Sequence, residues 1–352
     1  MDKANDNKYM RRCLDLAVKA EGLTYPNPVV GAVLVCDGNI AGEGYHLYAG
    51  GPHAEVIAVN SVKDKELLKG STLYVSLEPC SHFGKTPPCT DLIISSGIPR
   101  IVVGTIDTSG KVSGRGIEKL KKAGREVMVG VMEDECRRVN RRFFTFHEKK
   151  RPYITLKWAQ SADGFIDMKR PEGSTPEPYW ITGMTERVLV HKWRAEEEAI
   201  LVGGETVRKD NPALNVRYWK GRDPLRIILS GSGNLGKYIA DNVTKSRIIT
   251  FTYNNKEALP EHCTRVLLQP YITAAEQVCE ALYNEGVQSL FIEGGAVVME
   301  HFISCGLWDE ARIFTGRSNF SAGVKAPVVE GKEIEMMEFE KSSLKIVVNK
   351  MT

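Results

Sequence analysis

Pro52-His53-Ala54-Glu55-Val56 is the stretch that decides the fold of the first half of this chain, together with Glu78-Pro79-Cys80 and Pro87-Pro88-Cys89. The three stretches supply one histidine and two cysteines, which are ligand types that Zn²⁺ prefers. Three protein ligands leave one position of a tetrahedron open to water, as in a catalytic zinc site. The sequence therefore predicts one zinc ion held by these three side chains.

Glu55 supplies the second chemical element of the pattern. It follows His53 by two residues, and with Cys80 and Cys89 it matches the H-x-E…P-C…C signature of zinc deaminases, in which the glutamate moves protons and does not bind metal. A zinc ion on His53, Cys80 and Cys89 lowers the pKa of its water from about 16 to about 7. Glu55 can take the proton of that water and pass it to a ring nitrogen and a departing amine.

A closed structural zinc site is the alternative interpretation of the same residues. Such a site needs a fourth protein ligand, and the candidates in the sequence are Cys36, His46 and His82. A carboxylate two residues after the histidine has no use in a closed site. We therefore expect the zinc to be catalytic.

Length and composition indicate a globular protein of two domains. The 352 residues exceed one ordinary domain of about 150 residues, and 42% hydrophobic residues suffice for sizeable cores. A net charge of +3 gives no reason to expect a nucleic acid or an anionic membrane as partner. Without a signal-peptide core or a membrane-length apolar run, we expect a cytoplasmic protein whose eight cysteines are thiols and form no disulfide framework.

The first half is expected to be an α/β domain, because strands alternate with helices and so predict a largely parallel sheet. Asp37-Gly38-Asn39 is a hairpin signal. Pro52 and Pro88 each open a helix, so the metal-binding histidine and second cysteine lie at helix starts, where partial positive charge favours a thiolate. The predicted strands are 29–35, 40–45, 72–77, 100–105 and 126–131, and helices are predicted over about 6–22, from 52, and over 88–97, 116–123 and 133–144.

The charged run Glu148-Lys149-Lys150-Arg151-Pro152 predicts a boundary between a domain over 1–148 and a second over 149–352. The second domain is expected to be α/β, around its own sheet. The segment from Pro171 to Pro178 is expected to be a surface loop. Strands are predicted at 153–159, 199–202, 226–229, 247–252, 289–292, 311–315 and 343–348, and helices at 185–195 and 273–285.

Two glycine pairs in the second half lie where a strand ends and a helix begins: Gly203-Gly204 and Gly294-Gly295. Glycine lets the backbone approach a phosphate closely, and a helix N-terminus attracts negative charge. Either pair alone is equally well explained as a simple turn. Neither pair belongs to a G-x-G-x-x-G motif, so the two turns together predict a different way of holding a dinucleotide.

Eight residues separate Cys80 from Cys89, where the general deaminase pattern has two. The insertion contains His82 and Lys85. These side chains could bind a substrate more anionic than a nucleoside, such as a phosphate ester. The alternative is that both side chains only decorate a solvated loop.

The first half resembles the deaminase part of the bifunctional riboflavin-biosynthesis deaminase/reductase. The matching motifs are Pro26-Asn27-Pro28-x-Val30-Gly31, Gly42-x-Gly44-Tyr45-His46, Pro52-His53-Ala54-Glu55 and the whole run from Glu78 to Cys89. The resemblance implies a cytidine-deaminase-like α/β/α fold, with zinc on His53, Cys80 and Cys89 and Glu55 as proton shuttle. It also implies that the substrate contacts Asn27, His46, His82, Lys85 and Asp107.

The chain departs from this family at two places. After Asp107 the family usually continues Pro-Asn-Pro, whereas this chain has Thr108-Ser109-Gly110, and the shorter serine weakens an expected substrate contact or makes it depend on water. Pro178 stands where family members often have a serine, and Ser174 or Thr175 could substitute for it.

The second half looks like the reductase part of the same family, which is similar in fold to dihydrofolate reductase and uses NADPH. The match runs through Leu156-Lys157-x-Ala159, Trp180-Ile181-Thr182 and the segment from Gly204 to Arg217. The resemblance implies that the cofactor lies against Ala159, Trp180, Thr206, Asp210, Gly294, Gly295 and Ala296. It implies that the sugar phosphate contacts Arg194, Leu214, Arg217 and Glu293.

Charge and residue type add a role for some of these side chains. Paired guanidinium groups such as Arg194 and Arg217 suit a terminal phosphate, although single arginines are more often solvated. Lys157 and Glu293 are candidates for positioning and protonating the ribose as hydride reaches C1′. A buried structural ion pair is the competing explanation for Lys157 and Glu293.

The resemblance predicts two consecutive reactions. The first domain would deaminate 2,5-diamino-6-ribosylamino-4(3H)-pyrimidinone 5′-phosphate, and the second would reduce the ribosyl group to ribityl with NADPH, giving 5-amino-6-ribitylamino-uracil 5′-phosphate. We also expect a homo-oligomer, a dimer or tetramer formed through the second domain. The alternatives are a deaminase of another nucleotide or of tRNA with a diverged reductase-like domain, and a zinc-stabilised scaffold without activity.

Overall fold

The computed structural model of the chain describes residues 3–83, 87–109, 113–169, 179–241, 247–255 and 260–350. Lys85, Gly110 and the predicted loop 171–178, which contains Pro178, lie outside the described residues. The chain forms two compact units, Met1–Lys150 and Arg151–Thr352, and each is described by itself. Among the described residues, every helix is too short or too polar to cross a membrane.

The first unit has a central sheet with the strand order β2-β1-β3-β4-β5 within the described residues. Helices pack on both faces of this sheet, and two short 3-10 helices, Val18–Ala20 and Lys65–Gly70, connect other elements. The strands are β1 Gly31–Cys36, β2 Asn39–Tyr45, β3 Thr72–Leu77, β4 Arg100–Thr105 and β5 Glu126–Val129. The helices are α1 Lys3–Ala17, α2 Ala54–Ser61, α3 Cys89–Ser95, α4 Arg115–Lys122, α5 Glu133–Val139 and α6 Arg141–Lys149.

The sheet of the first unit is mixed, so the prediction of a largely parallel sheet is wrong for its β1–β2 side. β3, β4 and β5 run parallel, whereas β1 is antiparallel to both β2 and β3. Asp37 and Gly38 have positive φ angles of 48° and 77° and close the tight hairpin between β1 and β2. A two-residue turn of this kind can join only antiparallel strands.

The single helix predicted over 133–144 is also wrong, because α5 and α6 are separate helices with Asn140 between them. The Asn140 side chain accepts a hydrogen bond from the Val29 backbone N–H and donates one to the Val29 carbonyl, both at 2.9 Å. Hydrogen bonds between an asparagine side chain and the backbone compete with the backbone hydrogen bonds that would continue the helix. The bonds also anchor the segment that leads into β1.

Apolar side chains cover both faces of this sheet. One core contains Ala58, Val75 and Ile93, which join α2 and α3 to the sheet, and the other contains Met10 and Val102, which join α1 to the opposite face. This is the α/β/α arrangement that the sequence predicted. It leaves the segments that follow β3 and β4 free to carry functional side chains.

The second unit contains a larger sheet, with nine strands in the order β11-β10-β9-β8-β12-β6-β13-β16-β15 within the described residues. Neighbouring strands from β11 to β13 are parallel, and β16 and β15 add an antiparallel edge. The strands are β6 Tyr153–Gln160, β7 Phe165–Met168, β8 Ala199–Gly203, β9 Leu225–Leu229, β10 Ile248–Thr252, β11 Cys263–Leu267, β12 Ser289–Glu293, β13 Glu310–Gly316, β14 Gly323–Lys325, β15 Gly331–Glu338 and β16 Ser342–Asn349. The helices are α7 Met184–Glu196, α8 Gly204–Asp210, α9 Gly236–Asp241, α10 Ala274–Asn284 and α11 Ala296–Ser304.

Several short or weakly patterned elements of this unit were not predicted from the sequence. Within the described residues β7 and β14 form a separate two-stranded sheet, and α9 spans six residues. The seven-residue α8 is the helix that was predicted to begin at Gly203-Gly204. β15 has the sequence GKEIEMME, and its charged residues hide the alternation typical of a strand. Its pairing with β16 is therefore a feature of the tertiary fold.

Asp309 anchors the start of β6 inside the second unit. Its carboxylate accepts hydrogen bonds from the Arg151 guanidinium at 2.6 and 2.8 Å and from the Ile154 backbone N–H at 2.8 Å. The Asp309 side chain is only 2% exposed. These donors replace most of the hydrogen bonds to water that the carboxylate loses when it is buried.

Replacing Asp309 by alanine should lower the free energy of unfolding of the second unit by about 3–5 kcal/mol, because Arg151 keeps a buried charge without its partner. All five tryptophans belong to the second unit, so urea unfolding followed by tryptophan fluorescence reports on it. Glu280→Ala, at an exposed position of α10, is the control and should change the free energy of unfolding by less than about 0.5 kcal/mol. Equal midpoints for both variants would contradict the anchoring role of Asp309.

Candidate active sites

The three predicted zinc ligands of the first unit come together from three different elements. His53 is the N-cap residue of α2, Cys89 is the first residue of α3, and Cys80 follows β3. Their ligand atoms all lie within 4.8 Å of one another. Among the described residues of the chain, this is the group of histidine, cysteine and acidic side chains with metal-binding spacing.

The distances within the group identify the atoms that would face a metal. His53 Nδ1 lies 3.2 Å from Cys89 Sγ and 3.5 Å from Cys80 Sγ. The Cys89 backbone N–H donates a hydrogen bond of 3.3 Å to Cys80 Sγ, which orients that sulfur. One imidazole nitrogen and two sulfurs are a donor set that suits Zn²⁺. The residues present therefore fit the zinc that the sequence predicted.

The electrostatics of the group favour a bound cation. A hydrogen bond with Cys89 lowers the pKa of the Cys80 thiol to about 4, while the same bond raises the pKa of Cys89. Of the two sulfurs, that of Cys80 is therefore favoured as a thiolate, which is the form that binds metal. Burial raises the pKa of Glu55 to about 7, which suits a group that accepts and releases a proton near neutral pH.

Other described side chains do not complete a closed site. Both ring nitrogens of His46 are committed: Nδ1 lies 2.9 Å from the Pro52 carbonyl oxygen and Nε2 lies 3.0 Å from Asn27 Nδ2. Cys36 lies beside Asp37, and His82 is exposed. Within the described part of the chain, the metal group therefore has three protein ligands, as expected of a catalytic zinc site.

Half-buried Asn27 and buried His46 form a relay next to the metal group. The Asn27 amide can donate to His46 Nε2 while His46 Nδ1 donates to the Pro52 carbonyl, which immediately precedes His53. The His46 and His53 rings meet edge to face at 5.6 Å. Burial lowers the pKa of His46, so the neutral ring is favoured. The structure thus brings Asn27 and His46 next to the metal group, and their contact with the substrate stays a prediction.

Asp107 reaches the same region because β3 and β4 are parallel neighbours. Leu77 pairs with Thr105 at the ends of the strands, and Asp107 follows two residues later. Asp107 is buried, and its carboxylate accepts a hydrogen bond of 2.7 Å from the Ser109 backbone N–H. Lys85, the other predicted contact on the inserted loop, lies outside the described residues.

Glu78 is a residue whose function the sequence analysis missed. It is 5% exposed, and its carboxylate accepts hydrogen bonds from the backbone N–H groups of Gly114 at 2.9 Å and Gly116 at 2.8 Å. A weaker bond of 3.3 Å comes from the Asp107 N–H. Glu78 therefore ties the segment that carries Asp107 to the segment that carries Cys80. Its position two residues before that cysteine was the available sequence signal.

In the second unit the two glycine turns lie side by side, because β8 and β12 are neighbouring parallel strands. Gly294 and Gly295 have positive φ angles of 93° and 81°, which side chains rarely allow. A Cβ atom at Gly204 would lie 2.4 Å from Ser230 Oγ, and one at Gly295 would lie 3.4 Å from Thr206 Oγ1. The turns therefore need glycine, and they form the backbone cradle that a dinucleotide phosphate requires.

The polar groups around this cradle also fit a cofactor. Ser230, which the sequence analysis missed, is 4% exposed, and its Oγ has no hydrogen-bond partner among the described protein atoms. Ala296 begins α11 directly after the second turn, so that helix start faces the cradle region. A ligand that forms a hydrogen bond with the buried Ser230 hydroxyl would explain why this group has no protein partner. The residues present thus fit a phosphate-bearing cofactor.

Arg194 and Glu293 form a bidentate ion pair in the second unit. Arg194 Nε and Nη2 donate to the two Glu293 oxygens at 2.6 and 2.7 Å, and Nη1 donates to the Asn215 carbonyl at 3.1 Å. The two side chains are 12% and 11% exposed. Burial raises the pKa of Glu293, but the charge and the hydrogen bonds of Arg194 lower it by more, so the pKa of Glu293 lies below its usual value. Arg194 thus positions Glu293, and its contact with a substrate phosphate stays a prediction.

Lys157 lies beside this pair. It is the register partner of Glu293 across β6 and β12, and its ammonium lies 6.0 Å from the centre of the Phe314 ring. Burial lowers the pKa of Lys157, although the carboxylate of Glu293 opposes that shift. The structure therefore brings together a carboxylate and an amine of perturbed pKa, as is common at catalytic sites.

The remaining predicted residues of this unit have different surroundings. Leu214 is buried with a positive φ of 50°, Arg217 is exposed, and Ala159 packs against the core. Asp210 is exposed at the end of α8. Trp180 is 60% exposed, and the Arg187 guanidinium lies 4.5 Å from the centre of its ring. Their contacts with cofactor or substrate stay predictions.

Comparisons with known proteins cover both units. The family model of the RibD C-terminal domain matches residues 152–342, and the model of the cytidine and deoxycytidylate deaminase zinc-binding region matches residues 3–105. The riboflavin biosynthesis protein RibD of Aquifex aeolicus is 44% identical over 314 residues, which are 88% of this chain and 86% of that protein. The RibD protein of Escherichia coli is 35% identical over 326 residues, 88% of this chain and 87% of that protein.

Solved structures agree with these relatives. A crystal structure from Thermotoga maritima, described as a diaminohydroxyphosphoribosylaminopyrimidine deaminase/5-amino-6-(5-phosphoribosylamino)uracil reductase, has a TM-score of 0.87 and 37% identity, with 99% of each chain covered. RibD of Acinetobacter baumannii has a TM-score of 0.84 and 28% identity, again with 99% of each chain covered. With its zinc-ligand group and its paired glycine turns, the chain belongs to the RibD family of riboflavin biosynthesis proteins.

Proposed function

We propose that this chain catalyses two consecutive steps of riboflavin biosynthesis. Residues 1–148 hydrolytically deaminate 2,5-diamino-6-ribosylamino-4(3H)-pyrimidinone 5′-phosphate with release of ammonia. Residues 149–352 then reduce the ribosyl group with NADPH to give 5-amino-6-ribitylamino-uracil 5′-phosphate. The observation that carries the proposal is the convergence of His53, Cys80 and Cys89 beside buried Glu55, in a chain that matches RibD proteins over most of its length.

In the first unit, different residues bind the metal, transfer the proton and bind the substrate during deamination. His53, Cys80 and Cys89 would hold zinc, which when bound acts as a Lewis acid and makes water a nucleophile at neutral pH. Glu55 accepts the proton of the attacking water and returns it to the ring nitrogen and the leaving amine. Asn27, His46 and Asp107 orient the pyrimidine, and His82 and Lys85 bind its anionic part.

The residues of the second unit divide the work of reduction. Gly294, Gly295, Ala296 and Thr206 hold NADPH, which supplies the hydride, and Ala159, Trp180 and Asp210 complete that site. Arg217 and Leu214 bind the sugar phosphate, with Arg194 behind them. Lys157 supplies a proton to the ribose, and Glu293 keeps the amine of Lys157 in position. The register of β6 and β12 and the ion pair with Arg194 support this arrangement.

We also propose that the protein works in the cytoplasm as a homo-oligomer, a dimer or tetramer assembled through the second domain. The structure joins none of the eight cysteines in a disulfide, and two of them, Cys80 and Cys89, are the proposed zinc ligands, which supports a reducing compartment. Neither NADPH nor a phosphorylated pyrimidine calls for a membrane or a nucleic acid.

Replacing Glu55 by glutamine should lower the rate of ammonia release by about 10²- to 10⁴-fold, because the amide cannot accept the proton of the attacking water. Zinc content, measured by elemental analysis, should stay at one ion per chain. NADPH oxidation with the deaminated intermediate should also be unchanged, since it belongs to the other unit.

Glu66→Gln is the matched control for this experiment, because Glu66 is an exposed glutamate of the same unit. It should release ammonia at the wild-type rate. An active Glu55→Gln variant that retains zinc would reject Glu55 as the proton shuttle. A wild-type protein that retains zinc but releases no ammonia from the pyrimidine phosphate would reject the deaminase assignment itself.

Replacing Lys157 by methionine should lower NADPH oxidation by about 10²- to 10⁴-fold, because the uncharged side chain keeps the volume but cannot move a proton. Stability should not fall, since the change removes a charge that is costly to bury. Ammonia release should remain at the wild-type rate.

Lys332→Met, at an exposed position of β15, serves as the control for the loss of a lysine. Stopped-flow measurement of NADPH absorbance on the deaminated intermediate separates hydride transfer from product release. Unchanged hydride transfer in Lys157→Met, together with a loss of folding stability, would assign Lys157 the structural role considered above.

A further inference from the structure

The segment from Pro212 to Tyr218, which contains Leu214 and Arg217, has no helix or strand in the second unit. Side chains from other elements hold it in place. Tyr238 donates a hydrogen bond of 3.0 Å to the Pro212 carbonyl, and Asp223 accepts one of 2.8 Å from the Val216 N–H. We call residues 212–218 the phosphate segment, after its proposed ligand.

Helix α7 provides two further attachments of the phosphate segment. Arg194 donates to the Asn215 carbonyl at 3.1 Å, and His191 Nδ1 accepts a hydrogen bond of 2.9 Å from the Arg217 backbone N–H. The two side chains are three residues apart and therefore lie on the same face of α7. The His191 ring also meets the Tyr218 ring edge to face at 4.8 Å.

We propose that His191 is a positioning residue for the reductase site: its Nδ1 fixes the backbone of Arg217 and thereby aims the exposed Arg217 guanidinium at the anionic end of the sugar phosphate. The inference rests on the proposed function, because it takes Arg217 as the phosphate ligand. It adds a residue that touches neither substrate nor cofactor. Arg194 holds the same segment but is already committed to Glu293.

The surroundings of His191 keep its ring in the form that can accept this bond. The residue is 4% exposed. Burial, Arg194 and Arg217, with a further contribution from Lys157, lower the pKa of His191 to about 4, and Glu293 opposes this only in part. Nδ1 of a neutral imidazole can accept a hydrogen bond, whereas an imidazolium has no acceptor. The hydrogen bond to Arg217 is therefore maintained at physiological pH.

His191→Phe and His191→Asn form the matched pair of variants. Phenylalanine keeps a ring against Tyr218 but has no acceptor, whereas asparagine places its Oδ1 close to the position of Nδ1. With the deaminated pyrimidine phosphate as substrate, His191→Phe should raise KM about tenfold, a factor that corresponds to about 1.4 kcal/mol. Its kcat and its KM for NADPH should change less than twofold, and His191→Asn should recover most of the lost affinity.

Arg217→Ala identifies the residue through which His191 acts. In that background His191→Phe should add less than twofold to KM, because the guanidinium that His191 positions is already absent. Ammonia release by the same variants is the internal control and should be unchanged. A tenfold effect of His191→Phe that persists with Arg217→Ala would overturn the proposal, as would an unchanged KM in His191→Phe alone.

Hydrogen exchange of the wild-type protein tests the same bond without any variant that must fold. The Arg217 amide should exchange at least about tenfold more slowly than an unbonded loop amide, because it is bonded to a buried nitrogen. An unprotected Arg217 amide would overturn the proposal. A wild-type protein that does not oxidise NADPH with this substrate would instead reject the proposed reductase function, whatever the state of His191.

Discussion

The parallel pairing of neighbouring strands is the constraint on which both candidate sites depend. In the first unit the Glu78 N–H donates to the Thr105 carbonyl at 3.0 Å, so the segments after β3 and β4 start side by side. In the second unit β8 and β12 end next to each other at their glycine turns. The carboxyl ends of parallel strands are where α/β sheets bind ligands, because the following loops all leave from one edge.

Buried carboxylates connect separate segments within each unit, and their partners distinguish a structural carboxylate from a catalytic one. Glu78 is bonded to backbone N–H groups, and Glu293 and Asp309 are each bonded to a guanidinium. Glu55 is buried beside the zinc ligands, and its pKa is raised to about 7. A carboxyl group that can exist in both forms near neutral pH is suited to moving protons, whereas a fully paired carboxylate serves to hold structure.

In one segment of the second unit, side-chain hydrogen bonds take the place of the backbone hydrogen bonds of a helix or strand. The phosphate segment 212–218 has no ladder of backbone hydrogen bonds, and it depends on Tyr238, Asp223, Arg194 and His191. Each such bond contributes about 1 kcal/mol and is sensitive to a single substitution. Residues that never touch the substrate therefore help to set the geometry of the site.

The sequence by itself determined the bounds of β3 and β4, and it singled out Glu55 and the group of His53, Cys80 and Cys89 that the structure brings together, because these features depend on local spacing and on continuous apolar runs. Only the tertiary structure decided the roles of Glu78 and His191, since their partners lie more than 20 residues away along the chain. It also decided that Glu293 pairs with Arg194, 99 residues apart, which spacing cannot reveal. Short-range patterns record which chemistry is present, whereas contacts between distant segments arise only when the sheets form.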